Sequence, residues 1–501
     1  MARVLYVSTR NKQYGVTAAE AIRLGIAPDG GLFTPAVIPV FTTAELMKLA
    51  AGSYQEIALA VMTRFLTEYE PGELRKMIGA AYVCPLKFDH PEVTPLRKLA
   101  ENQYLLELWH GPTCAFKDVA LQLLPHLMTR ASLLTDDSRE IVILVATSGD
   151  TGKAALEGFK DVPGTRIIVF FPEQGVSEIQ RLQMVTQEGR NTMVVSVRGN
   201  FDDAQNGVKR IFTDPGLAAK LEREKMAFSS ANSINWGRLA PQIVYYFYGY
   251  FQLCRHKAVR LGEPINITVP TGNFGNILAA YIAKQMGLPV WKLICASNSN
   301  NVLTDFLKDG VYDRNRSFYN TISPSMDILI SSNLERLLYY LTGGDDAAVN
   351  EWMSQLKTTG RYRVDPATAG KLAAEFRAGF ATEPETMAAI RKVYLENRMI
   401  IDPHTAVGVA VYERYLEAVR DRTPVLFAST ASPFKFSASV LQAIGQPVEG
   451  KSEFALLEKL GEVSGQPVPK SLSELSRKEV RHRTVCRWEE MGTIVERLLR
   501  L

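Results

Sequence analysis

The chain has 501 residues, 46% hydrophobic and 22% charged, with a formal net charge of +4. This is the composition of a globular protein long enough for two or three domains, and it excludes a disordered or fibrous chain. So small a net charge, with no long block of like charge before the C-terminal region, makes no electrostatic case for nucleic acid or membrane as the main partner, which leaves small molecules.

Five cysteines, Cys84, Cys114, Cys254, Cys295 and Cys486, lie far apart, form no CxxC pair and are odd in number. They suit a reducing compartment and argue against a disulfide or zinc framework. The opening MARVLYVSTRNKQYG lacks the apolar centre of a signal peptide, and the sequence has no 18-residue apolar run. A cytoplasmic, enzyme-sized protein without a metal site is expected.

In chain order, a short strand comes first, then the acidic-glycine turn APDGGLFTP. Helices follow in TTAELMKLAAG and SYQEIALAVMTRFL, whose apolar residues recur every three or four positions. From about residue 96, strands alternate with helices: YLLELWH, EIVILVATS, RIIVFFPE, TMVVSVRG and INITVPTG each precede a helical run. Short β-rich strands with intervening helices predict a largely parallel sheet covered on both faces. After about 440 the chain turns polar and basic. SLSELSRKEVRHRTVCRWEEMGTIVERLLRL reads as a helix opened by a Ser471–Glu474 capping box, solvated or interdomain rather than polyanion-binding. The sequence contains no internal repeat and no low-complexity segment.

Within HGPTCAFKDVALQ, a Gly-Pro loop feeds a short helix that Pro125 ends or kinks, with Lys117 in its first turn. Unpaired N–H groups and the helix dipole disfavour a cation there. Either Lys117 is a solvated surface lysine, or its amine is meant to be neutral and bonded to something.

Three loops suit anions. Gly272, Asn273, Phe274, Gly275 and Asn276 sit where a strand meets a helix N-terminus, and two glycines let an anion approach the main chain. A dinucleotide site would need GxGxxG, so one phosphate fits better, with a ligand-free tight turn as the alternative. In ATSGDTGKAALEGF, Thr147, Ser148, Gly149, Asp150 and Thr151 supply hydroxyls and amides ahead of a helix, a cradle for carboxylate or phosphate. A Walker loop is rejected because Ala154 stands where a magnesium-binding hydroxyl belongs. In SSANSINWGRLAPQ, Asn232 and Ser233 precede Arg238, which suits a dianionic phosphate, with helix capping as the alternative. Three anion loops and one misplaced lysine suggest two phosphates, a carboxylate and an aldehyde. Pyridoxal phosphate supplies an aldehyde and a phosphate together, and lysine holds it as a Schiff base.

HGPTCAFKD, ATSGDTG, SANSINWGR, TGNFGN and STASPFKF occur in this order over nearly the whole chain, after the APDGGLF turn. Together they resemble the threonine synthases of the longer class. The resemblance implies an α/β, fold-type-II pyridoxal phosphate enzyme with two doubly covered, mostly parallel sheets and an N-terminal helical domain. It implies domains at 1–95 (N-terminal), 96–440 (catalytic core, with a smaller mobile part at about 135–215) and 441–501 (C-terminal helical extension). By position, Lys117 resembles the Schiff-base lysine and the chief acid-base group, Gly272 to Asn276 the cofactor phosphate cup, and Asp150 the neighbour of the cofactor's 3-hydroxyl. Thr430 resembles the hydroxyl facing the pyridine nitrogen. Thr147, Ser148, Gly149 and Thr151 resemble substrate carboxylate contacts, and Asn232, Ser233 and Arg238 substrate phosphate contacts. Where the family commonly reads T-A-H-P-A-K-F, this chain has Ser432 for His and Phe434 for Ala, so no role of an imidazole carries over.

The implied reaction converts O-phosphohomoserine and water to threonine and phosphate. Two rivals remain: a phospho-lyase of the same fold releasing 2-oxobutyrate, and a non-catalytic cofactor-binding regulator. The sequence does not give the oligomeric state.

Overall fold

The computed structural model describes residues 3–147, 149–173 and 176–501. Two parallel sheets organise the molecule. The larger runs Phe376–Phe380, Val290–Ser297, Ile265–Pro270, Val425–Ser429, Gln103–Glu107 and Leu96–Ala100, parallel throughout except for the last pair. The smaller runs Thr484–Arg487, Thr192–Arg198, Thr165–Pro172, Glu140–Ala146 and Met226–Ser229, all parallel. Strands of the smaller sheet are buried on both faces. Ile141, Ile143 and Val145 point into the main core, while Val142 and Leu144 point into a second core with Val208, Ile211 and Leu221. Burial on both faces explains why these strands read as continuous apolar runs rather than alternating ones.

The N-terminal region carries its expected helices and more strand than the single short one read at its start. Tyr6–Ser8, Asn11–Val16 and Phe33–Pro35 form an antiparallel three-stranded sheet beside four helices. Asn11–Val16 is mostly exposed, NKQYGV, and gives little hydrophobic signal. Three of the helices open with capping boxes, Thr17/Glu20, Thr42/Glu45 and Ser53/Glu56. This region buttresses the 20-residue helix Trp236–Arg255. Tyr6 and Phe65 pack edge-on against Trp236, and Asn235 donates to the Ile22 carbonyl at 2.8 Å.

The C-terminal reading needs the larger correction. Ser471 is the second residue of a four-residue helix, Lys470–Ser473, without a side-chain cap. Beyond it the chain makes one 3-10 turn, Leu475–Arg477, and then Thr484–Arg487 joins the small sheet beside Thr192–Arg198. Only Met491–Leu499 is the expected helix, and it covers the second core through Met491, Val495 and Leu499. An unfilled edge of a parallel sheet offers a β-branched segment such as TVCR a full set of backbone partners, and it outweighs weak local helix signals. Residues 484–499 therefore complete the smaller sheet rather than extend the core. Among the described residues, no helix is long and apolar enough to cross a membrane.

Candidate active site

Strand order brings the site together. Ile265–Pro270 and Val425–Ser429 are neighbours at the centre of the large sheet, with Gln103–Glu107 next. Their C-terminal ends release, side by side, the Gly272–Asn276 loop, Thr430 and the loop to Lys117. Carboxyl ends of parallel strands are where such folds bind ligands. In the small sheet, Glu140–Ala146 and Met226–Ser229 are likewise adjacent, and they release the Thr147–Thr151 and Asn232–Arg238 loops.

Lys117 is the first residue of a helix that spans only Lys117–Leu121. After a break, Leu124–Leu134 starts with Pro125 in its first turn, where the missing N–H of proline is harmless. So short a helix has little dipole, and the sequence-based reason for a neutral amine gives way to another. Burial pushes the Lys117 pKa down, and Lys435 and Arg238 add to it, while Asp150 opposes them. Lys117 Nζ lies 3.4 Å from Asp150 Oδ2 and 3.2 Å from Ser325 Oγ. Asp150 heads its own helix, Asp150–Phe159, where the dipole favours a carboxylate. Despite burial, its pKa is lowered, because Lys435 and Lys117 both face it.

The two glycines of the cup do different work. A Cβ on Gly272 would lie 2.7 Å from the Ser325 carbonyl oxygen, so this glycine permits close packing of the loop that carries Ser325. A Cβ on Gly275 would meet nothing closer than Asn333 Nδ2 at 3.5 Å and Gln242 Nε2 at 3.8 Å, with Ser233 Cβ also at 3.8 Å. That space, bordered by side-chain donors at the start of the helix Gly275–Gln285, is a cradle for an anion. Phe274 turns the chain into the helix with φ +62°. Asn276 accepts from Tyr245 at 2.8 Å and from Tyr246, which orients its amide so that buried Nδ2 is left without a partner among the described residues. Asn273 is exposed, and its carbonyl is held by Asn333 at 3.0 Å. An orphaned donor, a cradle that a larger side chain at Gly275 would fill and a buried amine fit pyridoxal phosphate.

Arg238 is 4% exposed and donates to the Ala231 carbonyl at 2.7 Å. It has no carboxylate partner among the described residues, and burial pushes its pKa down to about 10. A desolvated guanidinium without a counter-ion is suited to an anion. Ser233 Oγ sits 3.5 Å from Ser332 Oγ, and Asn232 is half-buried with its N–H on Ser230 Oγ.

Thr147 is committed to its loop, because its hydroxyl oxygen accepts from the N–H of Gly149 and of Gly152, both at 3.0 Å. Gly149 adopts φ +148° against Gln180, where a side chain would be strained. Thr151 is half-buried, and Ser148 lies outside the described residues. Thr430 is buried, and Ser432, fully buried, caps the turn Pro433–Phe436 by accepting from Phe434 N–H at 3.4 Å. Ser432 thus has a local role of its own where the family commonly has His.

Sequence reasoning assigned no role to Lys435, Ser325 or His404. Lys435 stands between two phenylalanines in a motif already singled out, a pattern that marks a buried lysine. His404 Nδ1 lies 2.8 Å from Asp402 Oδ1, and its Nε2 accepts the Ser325 N–H at 3.2 Å. Nothing in their sequence spacing signalled that contact.

The comparisons follow this geometry. The family models for the threonine synthase N terminus, the pyridoxal-phosphate dependent enzymes and the threonine synthase C-terminal domain match residues 5–82, 87–380 and 405–495. The chain belongs to the threonine synthase family of pyridoxal-phosphate-dependent enzymes. It is 39% identical to the Saccharomyces cerevisiae threonine synthase, covering 88% of this chain and 90% of that one. It is 41% identical to the human threonine synthase-like 1, covering 90% of this chain but only 61% of that protein's length. A pyridoxal-phosphate-bound threonine synthase from Brucella melitensis superposes with a TM-score of 0.87 at 38% identity, over 99% of both chains. Family membership makes pyridoxal phosphate the cofactor.

Proposed function

We propose that the protein converts O-phosphohomoserine and water to threonine and phosphate. The observation that carries this reading is Arg238, a buried guanidinium without a carboxylate partner among the described residues, close enough to Lys117 to depress its pKa. A substrate with a phosphate at one end and a reacting amino acid at the other would span the two residues.

The cofactor, when bound, supplies an aldehyde that takes an amine and a ring that accepts electron density. Gly275, the Asn276 amide and the start of their helix would hold its phosphate, Thr430 would face its pyridine nitrogen, and Asp150 would lie near its 3-hydroxyl. Lys117, as a neutral amine, would move protons at the substrate's α- and β-carbons. Arg238 would neutralise the phosphate as it leaves Cγ, before water adds at Cβ. Closure of the smaller sheet's domain, about 135–215 with the returning C-terminus, would keep water out until that step.

The decisive assay is to incubate the loaded protein with O-phosphohomoserine and measure threonine, 2-oxobutyrate and phosphate together. Threonine equal to phosphate supports the proposal. 2-Oxobutyrate equal to phosphate supports a phospho-lyase of the same fold.

A further inference from the structure

Lys435 lies in the 3-10 turn Pro433–Phe436, and its side chain is 0% exposed. An ammonium has three donors. One reaches the Thr113 carbonyl at 3.0 Å, and another reaches Asp150 Oδ1 at 2.5 Å. Gln180 Nε2 supports the same oxygen at 3.3 Å. The carboxylate's other oxygen, Oδ2, takes Lys117 at 3.4 Å and the Ser325 hydroxyl at 3.5 Å.

Two buried amines thus share one carboxylate, which can neutralise only one ammonium. The shorter contact belongs to Lys435, and Lys117 takes the longer one. Among the described residues, four other titratable groups face the cluster. Arg238, from the helix Trp236–Arg255, is a further cation toward Lys117, and His404, from the helix Pro403–Val419, faces Asp150. Asp118, within the Lys117 helix, and Cys114, in the turn before it, face Lys435. Asp118 is already engaged by the Thr113 N–H and hydroxyl at 2.8 and 2.7 Å.

We propose that Lys435 is a positioning residue for the reactive amine: it pins Asp150 by Oδ1, leaves Oδ2 to Lys117, and as a second buried cation holds Lys117 in its neutral form. The inference rests on Lys117 being the reactive amine, as proposed above. It assigns Lys435 a role apart from substrate, because its bonds are made to the protein.

The test uses the cofactor-free protein and does not depend on threonine formation, so its failure is separate from failure of the proposed reaction. Trace acetylation with acetic anhydride over a pH series, read on the Lys117 peptide by mass spectrometry, gives the midpoint for the free amine. Lys435→Met should raise that midpoint and slow labelling at pH 7 roughly three- to tenfold, because Asp150 would then hold Lys117 as its only cation. Lys435→Gln, whose amide can still donate, should move the midpoint the same way, and Lys435→Arg should keep it near wild type. Asp150→Asn combined with Lys435→Met should bring it back down. If Lys435→Met does not fold, judged by near-ultraviolet circular dichroism, the other variants read the same quantity. A midpoint unchanged or lowered in a folded Met or Gln variant overturns the proposal. So does an Arg variant that behaves like Met.

Discussion

Phe116 donates its backbone N–H to the carbonyl oxygen of Thr430 across 2.8 Å. Ala115 bridges Ala431, and Ser432 N–H reaches the Cys114 carbonyl at 3.0 Å. The segment that presents Lys117 is therefore zipped to the segment that presents Thr430. Both follow neighbouring strands of one sheet, so Lys117 and Thr430 are held in a fixed relation by main-chain bonds.

Lys117→Ala should fold, because Asp150 keeps Lys435 as its partner and no buried charge is orphaned. Borohydride treatment of the loaded wild type should fix cofactor to the Lys117 peptide, and the variant should retain none. Label on another lysine would sink the assignment.

The two cup glycines should fail differently. Gly275→Val should fill the anion cradle and weaken cofactor binding while leaving the melting temperature of the cofactor-free protein nearly unchanged. Gly272→Ala should clash with the Ser325 carbonyl and cost roughly 1–3 kcal/mol of stability, as overpacking does. Equal effects of both changes on both measurements would contradict the division of roles.

Arg238→Ala should retain the cofactor yet lose roughly 2–5 kcal/mol of transition-state stabilisation on the phosphorylated substrate. Arg238→Lys should recover only part, since an ammonium lacks the planar two-toothed contact. Equal losses on phosphorylated and unphosphorylated substrates would mean that Arg238 supports the fold instead.

His110, at the entrance to the Lys117 loop, is desolvated, which lowers its pKa. Hydrogen bonds to Asp89 at 2.6 Å and Glu107 at 3.0 Å outweigh this and raise the pKa to about 9. A raised folded pKa means that the folded state binds the proton more tightly. The associated stability is fully present below about 6.5 and is lost as the pH rises through about 9. With Asp89 exposed and screened, the loss should be roughly 1–2 kcal/mol. Denaturant unfolding at pH 6 and 9.5 measures it, and His110→Gln should flatten the difference.

Deleting residues 484–501 should uncover the Thr192–Arg198 edge and the second core under Met491, Val495 and Leu499. The truncated chain should aggregate or lose the cooperative unfolding of the small sheet. Deleting only Leu501 should change neither. An intact melting transition in the truncated chain would show that the small sheet does not need its fifth strand.

The parallel strands were legible because burial on both faces makes them apolar runs bounded by turn residues. Ile265–Pro270 and Glu140–Ala146 both lie within the predicted segments. The break before Pro125 was legible for a local reason, since proline has no N–H to give. TVCR was read as helix because its strand partner, Thr192–Arg198, is remote in sequence, and no local propensity encodes an open sheet edge. The same holds at the site. Sequence alone singled out a lysine, three loops suited to anions and, by family resemblance, a hydroxyl segment as parts of one expected pyridoxal phosphate site, because each is a short local motif. Only the tertiary structure decided which way the Lys117 pKa moves. Burial, Lys435 and Arg238 lower it and Asp150 opposes them; these groups come from separate elements, and charge acts through distance in space rather than position along the chain.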